Sequence, residues 1–104
     1  MSRRDEIAEA ARSILEEEGE EALTMRNLAN RLGIKAPSLY KHVGSRREIE
    51  TLLAAEALTE IGQALAAEST LEEMGRAYRG WALANPALYR ITTTRPLDRE
   101  NLPE

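Results

Sequence analysis

The stretch from residue 24 to residue 47 constrains the fold most, because it holds two short amphipathic segments joined at a single glycine. The first segment follows Thr24, a residue type that commonly caps a helix, and it carries leucines four residues apart. Gly33 ends this segment and can adopt the positive φ that a tight turn between helices requires. The second segment begins at Ala36 and Pro37, since proline is well tolerated in the first turn of a helix. The spacing therefore predicts a helix-turn-helix.

Charge is distributed unevenly around that stretch, although the chain as a whole has a formal net charge of −4. Residues 24–47 contain six of the 14 Lys and Arg and no Asp or Glu. Residues 1–23 contain eight acids and three bases, and residues 48–104 contain ten acids and five bases. A basic surface attracts phosphate within a Debye length of about 10 Å, even on an acidic protein. Charge runs are usually solvated faces, but an acid-free gap of 26 residues favours a nucleic-acid partner here.

Helical periodicity continues on both sides of that stretch, and no segment alternates in the manner of a strand. A first helix is predicted over residues 3–18, with fraying at its acidic carboxyl end, where the helix dipole disfavours glutamate. The third helix is expected to end near Gly44. A fourth, long helix is expected over residues 46–68, and two more are expected to begin after Thr70 and Asn85.

Capping boxes of the form Ser/Thr-x-x-Glu mark two of the helix starts, at residues 45–48 and 70–73. Residues 95–104 contain two prolines and no periodicity, which predicts a loop or an unstructured tail.

The fold class expected from these helices is all-α. Residues 1–47 are predicted to form a three-helix DNA-binding domain of the helix-turn-helix type. Residues 48–104 are predicted to form the long fourth helix and one or two further helices.

Residue types that carry other chemistry are scarce. The chain has no cysteine, which excludes disulfides, thiolate zinc sites and cysteine nucleophiles. His42 is the only histidine, and no carboxylate lies at ligand spacing from it, so a DNA contact or a helix-end role is favoured over a metal or general-base role. No nucleophile–base pair or glycine-rich phosphate loop is present, so neither an enzyme nor a cofactor is predicted. No apolar run approaches the roughly 20 residues of a membrane span, and a cytoplasmic protein is expected.

Helical phase assigns each position of the second segment to one of two faces. Leu39 and Val43 occupy the inward phase, and Ala29 allows the two helices to approach closely. The residues left outward are small, aromatic or hydrogen-bonding: Lys35, Ala36, Pro37, Ser38, Tyr40, Lys41 and His42. Such groups can contact phosphates, base edges and thymine methyls. Tyr40 could instead be a core residue, and a structural hairpin could share the apolar spacing, but the acid-free outward set favours DNA binding.

The sequence Ala-Pro-Ser-Leu-Tyr-Lys-His-Val at residues 36–43, followed by Ser-Arg-Arg-Glu-Ile, resembles the DNA-binding segment of the TetR family of bacterial transcriptional regulators. The resemblance covers residues 7–58. It implies a three-helix DNA-binding domain and a fourth helix that leads to a helical ligand-binding and dimerisation domain. It also implies backbone contacts from Thr24 and Arg26, positions in or beside the major groove for the outward residues, and a phosphate contact from Arg46.

A looser resemblance extends over residues 78–92, which are similar to the beginning of one subgroup's regulatory domain. Family members usually continue for another domain's worth of helices, so this chain is expected to be either part of a longer regulator or a short member. The full-length protein is expected to be a homodimer on a palindromic DNA operator and a repressor that responds to a small-molecule inducer. Met74, Tyr78 and Trp81 are candidate ligand contacts, with packing against the fourth helix as the favoured alternative.

A different class of function is also compatible with the sequence. The aromatic stripe of the fifth helix could hold a partner protein, which would make the chain a small helical interaction module without DNA binding. The operator sequence, the identity of the inducer and the choice between repression and activation stay open at this point.

Overall fold

The computed structural model describes residues 2–94, and every regular element in that range is helical. The α-helices, in chain order, are α1 (Arg3–Glu18), α2 (Met25–Leu32), α3 (Ala36–Tyr40), α4 (Arg46–Ala66), α5 (Leu71–Ala84) and α6 (Pro86–Thr94). One turn of 3-10 helix, Glu20–Ala22, connects α1 to α2. The predicted all-α fold is confirmed for the described residues. The tail predicted for residues 95–104 lies outside them.

Both ends of α2 form as the sequence predicts. The Thr24 hydroxyl accepts a hydrogen bond from the Asn27 amide at 3.1 Å, which satisfies one of the free donors at the helix start. Gly33 lies in the left-handed region at φ 71° and ψ 27°, and its amide donates to the carbonyls of Ala29 and Asn30. Glycine takes this conformation without steric cost, so the chain can turn sharply from α2 into α3.

Two helices end earlier than their periodicity predicts. The third was expected to reach Gly44, but α3 ends at Tyr40, because the amide of His42 turns back to the carbonyl of Leu39 at 2.9 Å. The fourth was expected to reach Glu68, but it ends at Ala66, and the Glu68 amide bonds the carbonyl three residues earlier. In both cases bonds to the third preceding residue tighten the last turn and close the helix.

One capping box forms completely and the other forms in part. At the start of α5, Thr70 accepts from the Glu73 amide and the Glu73 carboxylate accepts from the Thr70 amide, both at 3.1 Å. At the start of α4, the Ser45 hydroxyl accepts from the Glu48 amide at 3.3 Å. The Glu48 carboxylate, however, accepts from the Gly44 amide and not from Ser45, so that half of the prediction is wrong.

The acidic end of α1 is regular up to Glu18, so the predicted fraying is wrong. Arg31 of α2 supplies a positive charge next to the glutamates at this helix end. Its guanidinium lies 2.8 Å from the Glu17 carboxylate and 3.1 Å from that of Glu18. These two carboxylates raise the pKa of Arg31 above its ordinary value. A cation from a neighbouring helix thus offsets an unfavourable arrangement of charge at the helix terminus.

A single apolar core connects α1, α2, α3, α4 and α6. Its buried members come from both sides of position 47 and are Ile7, Ala11, Ile14, Leu15, Leu23, Leu28, Ala29, Leu39, Val43, Ile49, Leu53, Ala57, Leu88 and Ile91. The helix-turn-helix core predicted from the sequence is confirmed, with Leu32 and Ile34 half-buried against it. The helix-turn-helix therefore shares its packing with α4 and α6.

The fifth helix contributes no buried residue to that core. The prediction favoured for Met74, Tyr78 and Trp81 is packing against the fourth helix with part of the stripe exposed, and the burial of these residues agrees with it. Met74 and Trp81 are half-buried, while Tyr78 is 37% exposed and meets the ring of Tyr89 edge to face with centroids 6.2 Å apart. The physical reason is that, within residues 2–94, α5 packs on α4 and α6 along one side only.

Candidate nucleic-acid interface

The short helix α3 is held by buried side chains that leave the rest of its surface open. Leu39 is fully buried and Val43 is 1% exposed, so the helix is fixed on its inner side. Pro37 lies in the first turn, where a missing N–H removes no helical hydrogen bond. A helix of five residues is too short to be stable alone. Packing through these inward residues therefore determines where its other side chains point.

All the residues that the sequence places outward are exposed. These residues and the exposed Arg26 of α2 are together called the outward face below: Arg26, Lys35, Ala36, Pro37, Ser38, Tyr40, Lys41 and His42. The exposure expected for Tyr40 is confirmed, since 51% of the residue is accessible. Small residues, aromatic rings and hydrogen-bond donors therefore stand side by side on a surface that contains no carboxylate.

The cations of the outward face are free within the described part of the chain. Arg26, Lys35 and Lys41 form no side-chain hydrogen bond or ion pair among residues 2–94. Long cationic side chains of this kind keep their donors available for an anion. A phosphate group that approaches this surface does not have to displace a carboxylate of the same protein first.

Arg46 occupies a different environment from the one the sequence suggests. Its guanidinium donates to the Glu50 carboxylate and to the backbone carbonyl of Glu20, both at 3.0 Å. The side chain is 36% exposed. Arg46 therefore ties the start of α4 to the 3-10 turn, and a phosphate contact would require at least one of these bonds to be exchanged.

Arg47 is a candidate phosphate contact that sequence reasoning missed. It follows Arg46 in the first turn of α4, is exposed, and has no side-chain partner among the described residues. Adjacent helical positions differ by about 100° around the axis, so two consecutive arginines face different surroundings. The signal is in the sequence, because Glu50 lies four residues after Arg46. The residue four positions after Arg47 is Thr51, so only Arg46 has an acid at the i, i+4 spacing on its own helix.

Thr24 and His42 flank the outward face. The Thr24 side chain is half-buried, and its oxygen already accepts the Asn27 amide, which leaves its hydroxyl hydrogen available to donate. His42 is exposed directly after α3. Within residues 2–94, no group of three or more His, Cys, Asp or Glu is arranged to hold a metal ion.

The candidate ligand contacts lie outside the groove that the structure describes along α5 and α6. A groove of about 410 Å³ lies along α5 and α6, lined by Ala82, Leu83, Pro86, Tyr89, Arg90 and Thr93. Met74, Tyr78 and Trp81 are absent from that lining. Trp81 instead donates its indole N–H to Glu60 of α4 at 3.0 Å.

Among the helices that the structure describes, none has the length and apolar content needed to cross a membrane.

The six helices of the described residues, with a glycine turn between the second and third and an exposed acid-free face on the third, define a helix-turn-helix protein. Residues 7–49 match the model of the family described as bacterial regulatory proteins, tetR family. The chain is 36% identical over 101 residues to the HTH-type transcriptional regulator Rv0681 of Mycobacterium tuberculosis, covering 90% of this chain and 46% of that protein. It belongs to the TetR family.

Two further relatives agree with this assignment. Over 55 residues the chain is 44% identical to the tetracycline repressor protein class D of Escherichia coli, covering 53% of this chain and 25% of the repressor. The crystal structure of the regulatory protein SCO4313 superposes with a TM-score of 0.74 at 29% identity, covering 91% of this chain and 49% of that one. The chain thus spans about half the length of the relatives that it matches over most of its own length.

Proposed function

We propose that the chain is the DNA-binding portion of a sequence-specific transcriptional regulator, and that its outward face enters the major groove of double-stranded DNA. The observation that carries this proposal is the exposed, acid-free surface on which Arg26, Lys35 and Lys41 have no partner among the described residues. The names of the relatives support it, since they are transcriptional regulators and a repressor. No catalytic role and no cofactor are proposed.

The proposed division of the chain is one of role, since a shared apolar core spans both parts. Residues 1–47 would form the DNA-binding domain, and residues 48–104 would form the linker helix and part of a regulatory domain. The full-length regulator would work in the cytoplasm as a homodimer on a palindromic operator, because one module binds weakly and two adjacent half-sites supply useful affinity. Repression relieved by a small-molecule inducer is the regulatory mode we favour.

The side chains would divide into two roles. Four residues would bind phosphates of the DNA backbone: Thr24, Arg26, Lys41 and Arg46. Arg46 would exchange its bond to Glu50 for one to a DNA phosphate. The remaining outward residues would lie against base edges and thymine methyls. Phosphate contacts set the register of the protein on the duplex, and the groove contacts supply discrimination between sequences.

Salt dependence tests the proposal most directly. Each phosphate neutralised by a cation contributes about −0.9 to the slope of log affinity against log salt concentration, so Arg26, Lys41, Arg46 and Arg47 predict a slope of about −3 to −4 per monomer. The measurement is a titration of a palindromic duplex, recovered by selection from a random library, at several salt concentrations. A flat response would contradict the proposal.

Two substitutions separate the proposed roles. Tyr40→Ala is expected to reduce the ratio of affinities for the selected and a random duplex, because it removes a groove contact. Arg46→Ala is expected to weaken binding to both duplexes by a similar factor, because phosphate contacts carry no sequence information. If both variants lose affinity equally on both duplexes, the role assignment is wrong.

One observation favours a second function, that of a protein-interaction module. The fifth helix leaves Leu71 85% exposed and Leu83 69% exposed, and large apolar side chains in contact with water mark many protein interfaces. This alternative predicts that added DNA leaves the NMR resonances of α3 unchanged. The DNA-binding proposal predicts shifts in α3 and none at Leu71 or Leu83.

A further inference from the structure

The guanidinium of Arg12 is the most connected side chain in the described part of the molecule. It lies in α1 and donates to Glu16 of the same helix at 3.2 Å. It also donates to Glu56 of α4 at 2.6 Å, to both carboxylate oxygens of Glu60, and to the Asn85 side chain at 2.9 Å. One cation of the first helix thus contacts α4 and the residue that joins α5 to α6.

Trp81 of α5 uses the same acceptors. Its indole N–H donates to Oε1 of Glu60 at 3.0 Å, the oxygen that also receives a bond from Arg12. Its backbone carbonyl accepts from the Asn85 side-chain amide at 2.9 Å, while the oxygen of that amide accepts from Arg12. Trp81 and Arg12 are therefore linked twice, through Glu60 and through Asn85. We call Arg12, Glu56, Glu60, Trp81 and Asn85 the Arg12 junction.

The side chains of the Arg12 junction are partly shielded from solvent, so the positions of their hydrogen-bonding groups are restricted. The Arg12 side chain is 20% exposed, and those of Glu56 and Glu60 are 35% and 31% exposed. A guanidinium has five N–H donors in a rigid plane, so several acceptors fix its orientation together, which an ammonium group could not do. A displacement of one acceptor changes the position of the plane and hence the bonds to the others.

The junction also lies on the helix that supports the outward face. Ile14 and Leu15, in the turn of α1 that follows Arg12, belong to the same buried core as Leu39 of α3. A rotation or shift of α1 relative to α4 would therefore move the surface against which α3 packs.

We propose that Arg12 is a positioning residue for DNA binding, and that Trp81 acts on DNA affinity through the acceptors it shares with Arg12. The inference rests on the proposed function and adds its regulation. When Trp81 holds Glu60 and Asn85 in place, Arg12 aligns α1 with α4, and the outward face has the orientation that fits the groove. A displacement of α5 that withdraws the indole releases Glu60 and loosens that alignment.

A double-mutant cycle on the 104-residue chain tests the link between the two residues. The substitutions are Arg12→Lys, which keeps the charge but loses the planar donors, and Trp81→Phe, which keeps a ring but loses the indole N–H. The readout is the dissociation constant for a duplex selected from a random library with the unaltered chain. Each single variant is expected to bind about 3- to 10-fold more weakly, and the double variant no more weakly than Arg12→Lys alone.

Arg76→Gln in place of Trp81→Phe provides the matched control. Arg76 lies on the same helix and, among residues 2–94, pairs only with Glu72, at 3.0 Å on the exposed side. Its effect is expected to add independently to that of Arg12→Lys. The proposal is overturned if the fold-changes in dissociation constant caused by Trp81→Phe and Arg12→Lys also multiply independently. It is likewise overturned if either single variant binds as the unaltered chain does.

Folding is checked separately, so that loss of structure is not mistaken for loss of positioning. Helix content by circular dichroism is expected to match the unaltered chain for each variant. If Arg12→Lys does not fold, Glu60→Gln replaces it in the cycle with the same expected non-additivity, and additivity there also overturns the proposal.

The experiment also separates this inference from the proposed function. If the unaltered chain selects no duplex, the proposed function fails, and the positioning role fails with it. A duplex that is selected and bound, with additive effects in both cycles, overturns the positioning role alone.

Discussion

The outward face and the Arg12 junction use the same kinds of cation in opposite ways. On the outward face, Arg26 and the nearby Arg47 have no partner within residues 2–94. At the junction, the guanidinium of Arg12 donates to three carboxylates and one amide. The difference lies in the acids within reach and not in the arginines themselves. Cations without a local acid are available to an external anion, and cations with several acids hold helices together.

Arg31 and Arg46 have fewer partners than Arg12, but like Arg12 they are paired with acids of the same chain. Both come from the acid-free stretch of the sequence, yet Arg31 pairs with Glu17 and Arg46 pairs with Glu50. The number of cations in a stretch therefore overstates the number that it can offer to DNA.

The largest effect is expected from Leu39→Ala, because the outward face depends on the buried side of α3. Leu39 is fully buried, and its truncation leaves a cavity worth about 3 kcal/mol of unfolding free energy. Chemical denaturation checks this, with Leu83→Ala as a control. Leu83 is 69% exposed, and its truncation is expected to change stability by less than about 0.5 kcal/mol. Equal losses for the two variants would contradict the description of α3.

Arg12→Met and Arg47→Met compare the two regions directly. Removing Arg12 leaves Glu56 and Glu60 close together without their cation, and we expect a loss of about 2 kcal/mol in the free energy of unfolding. Removing Arg47 breaks no bond among the described residues and is expected to cost less than about 0.5 kcal/mol. Thermal unfolding of both variants in the same buffer measures the difference.

DNA titration of Arg47→Met completes that comparison. The variant is expected to show a salt slope closer to zero by about 0.9, since it loses one phosphate contact while keeping its fold. An unchanged slope would show that Arg47 faces solvent without meeting the duplex, and an altered stability would show that it has a structural partner.

Acid lability is expected to be a smaller effect, and it comes from Glu60. Its hydrogen bond to Arg12, with a further contribution from Trp81, lowers the pKa of Glu60 in the folded chain below its ordinary value of 4.5. A carboxyl group whose pKa is lowered on folding stabilises the protein above the unfolded pKa, and this contribution is lost as the pH falls through the folded pKa. Glu60→Gln is expected to lower the melting temperature near neutral pH and to make the loss below pH 4.5 shallower. Parallel pH profiles would contradict this.

The smallest effect is expected at Arg76 and Glu72, an exposed pair on α5 whose side chains are 69% and 79% accessible. Solvent screens such a pair, so Arg76→Ala is expected to cost only a few tenths of a kcal/mol. Denaturant titration measures this change in the free energy of unfolding. A cost near that of Arg12→Met would show that partner number and burial do not distinguish the two regions.

The elements of the fold could be predicted from the sequence because their signals are local. Thr24 and Gly33 fix the ends of α2 within a few residues, and the capping box at Thr70 forms as expected. The helix-turn-helix core follows from apolar spacing alone. The ends of α3 and α4 were predicted less accurately. Their final turns are closed by backbone hydrogen bonds, and no residue type in the sequence marks where these bonds form.

The candidate site was predictable in its positions but not in its charge partners. The exposure of Tyr40 and Lys41 follows from helical phase, since Leu39 occupies the inward position. Glu50, the acidic partner of Arg46, is only four residues away, but the backbone carbonyl that Arg46 also binds belongs to Glu20, 26 residues away. The partners of Arg12 include residues 44 or more positions along the chain. Pairing over such distances depends on how α4 lies against α1, and periodicity within one helix carries no information about that.

The short length of α3 has a consequence for how such a protein can change over generations. Its position depends on buried side chains, chiefly Leu39 and Val43, and none of the outward residues is needed to keep it in place. Substitutions at Tyr40, Lys41 or His42 would therefore change the proposed DNA contacts while leaving the folded state nearly untouched. New recognition preferences can accumulate on this helix without first requiring a more stable scaffold.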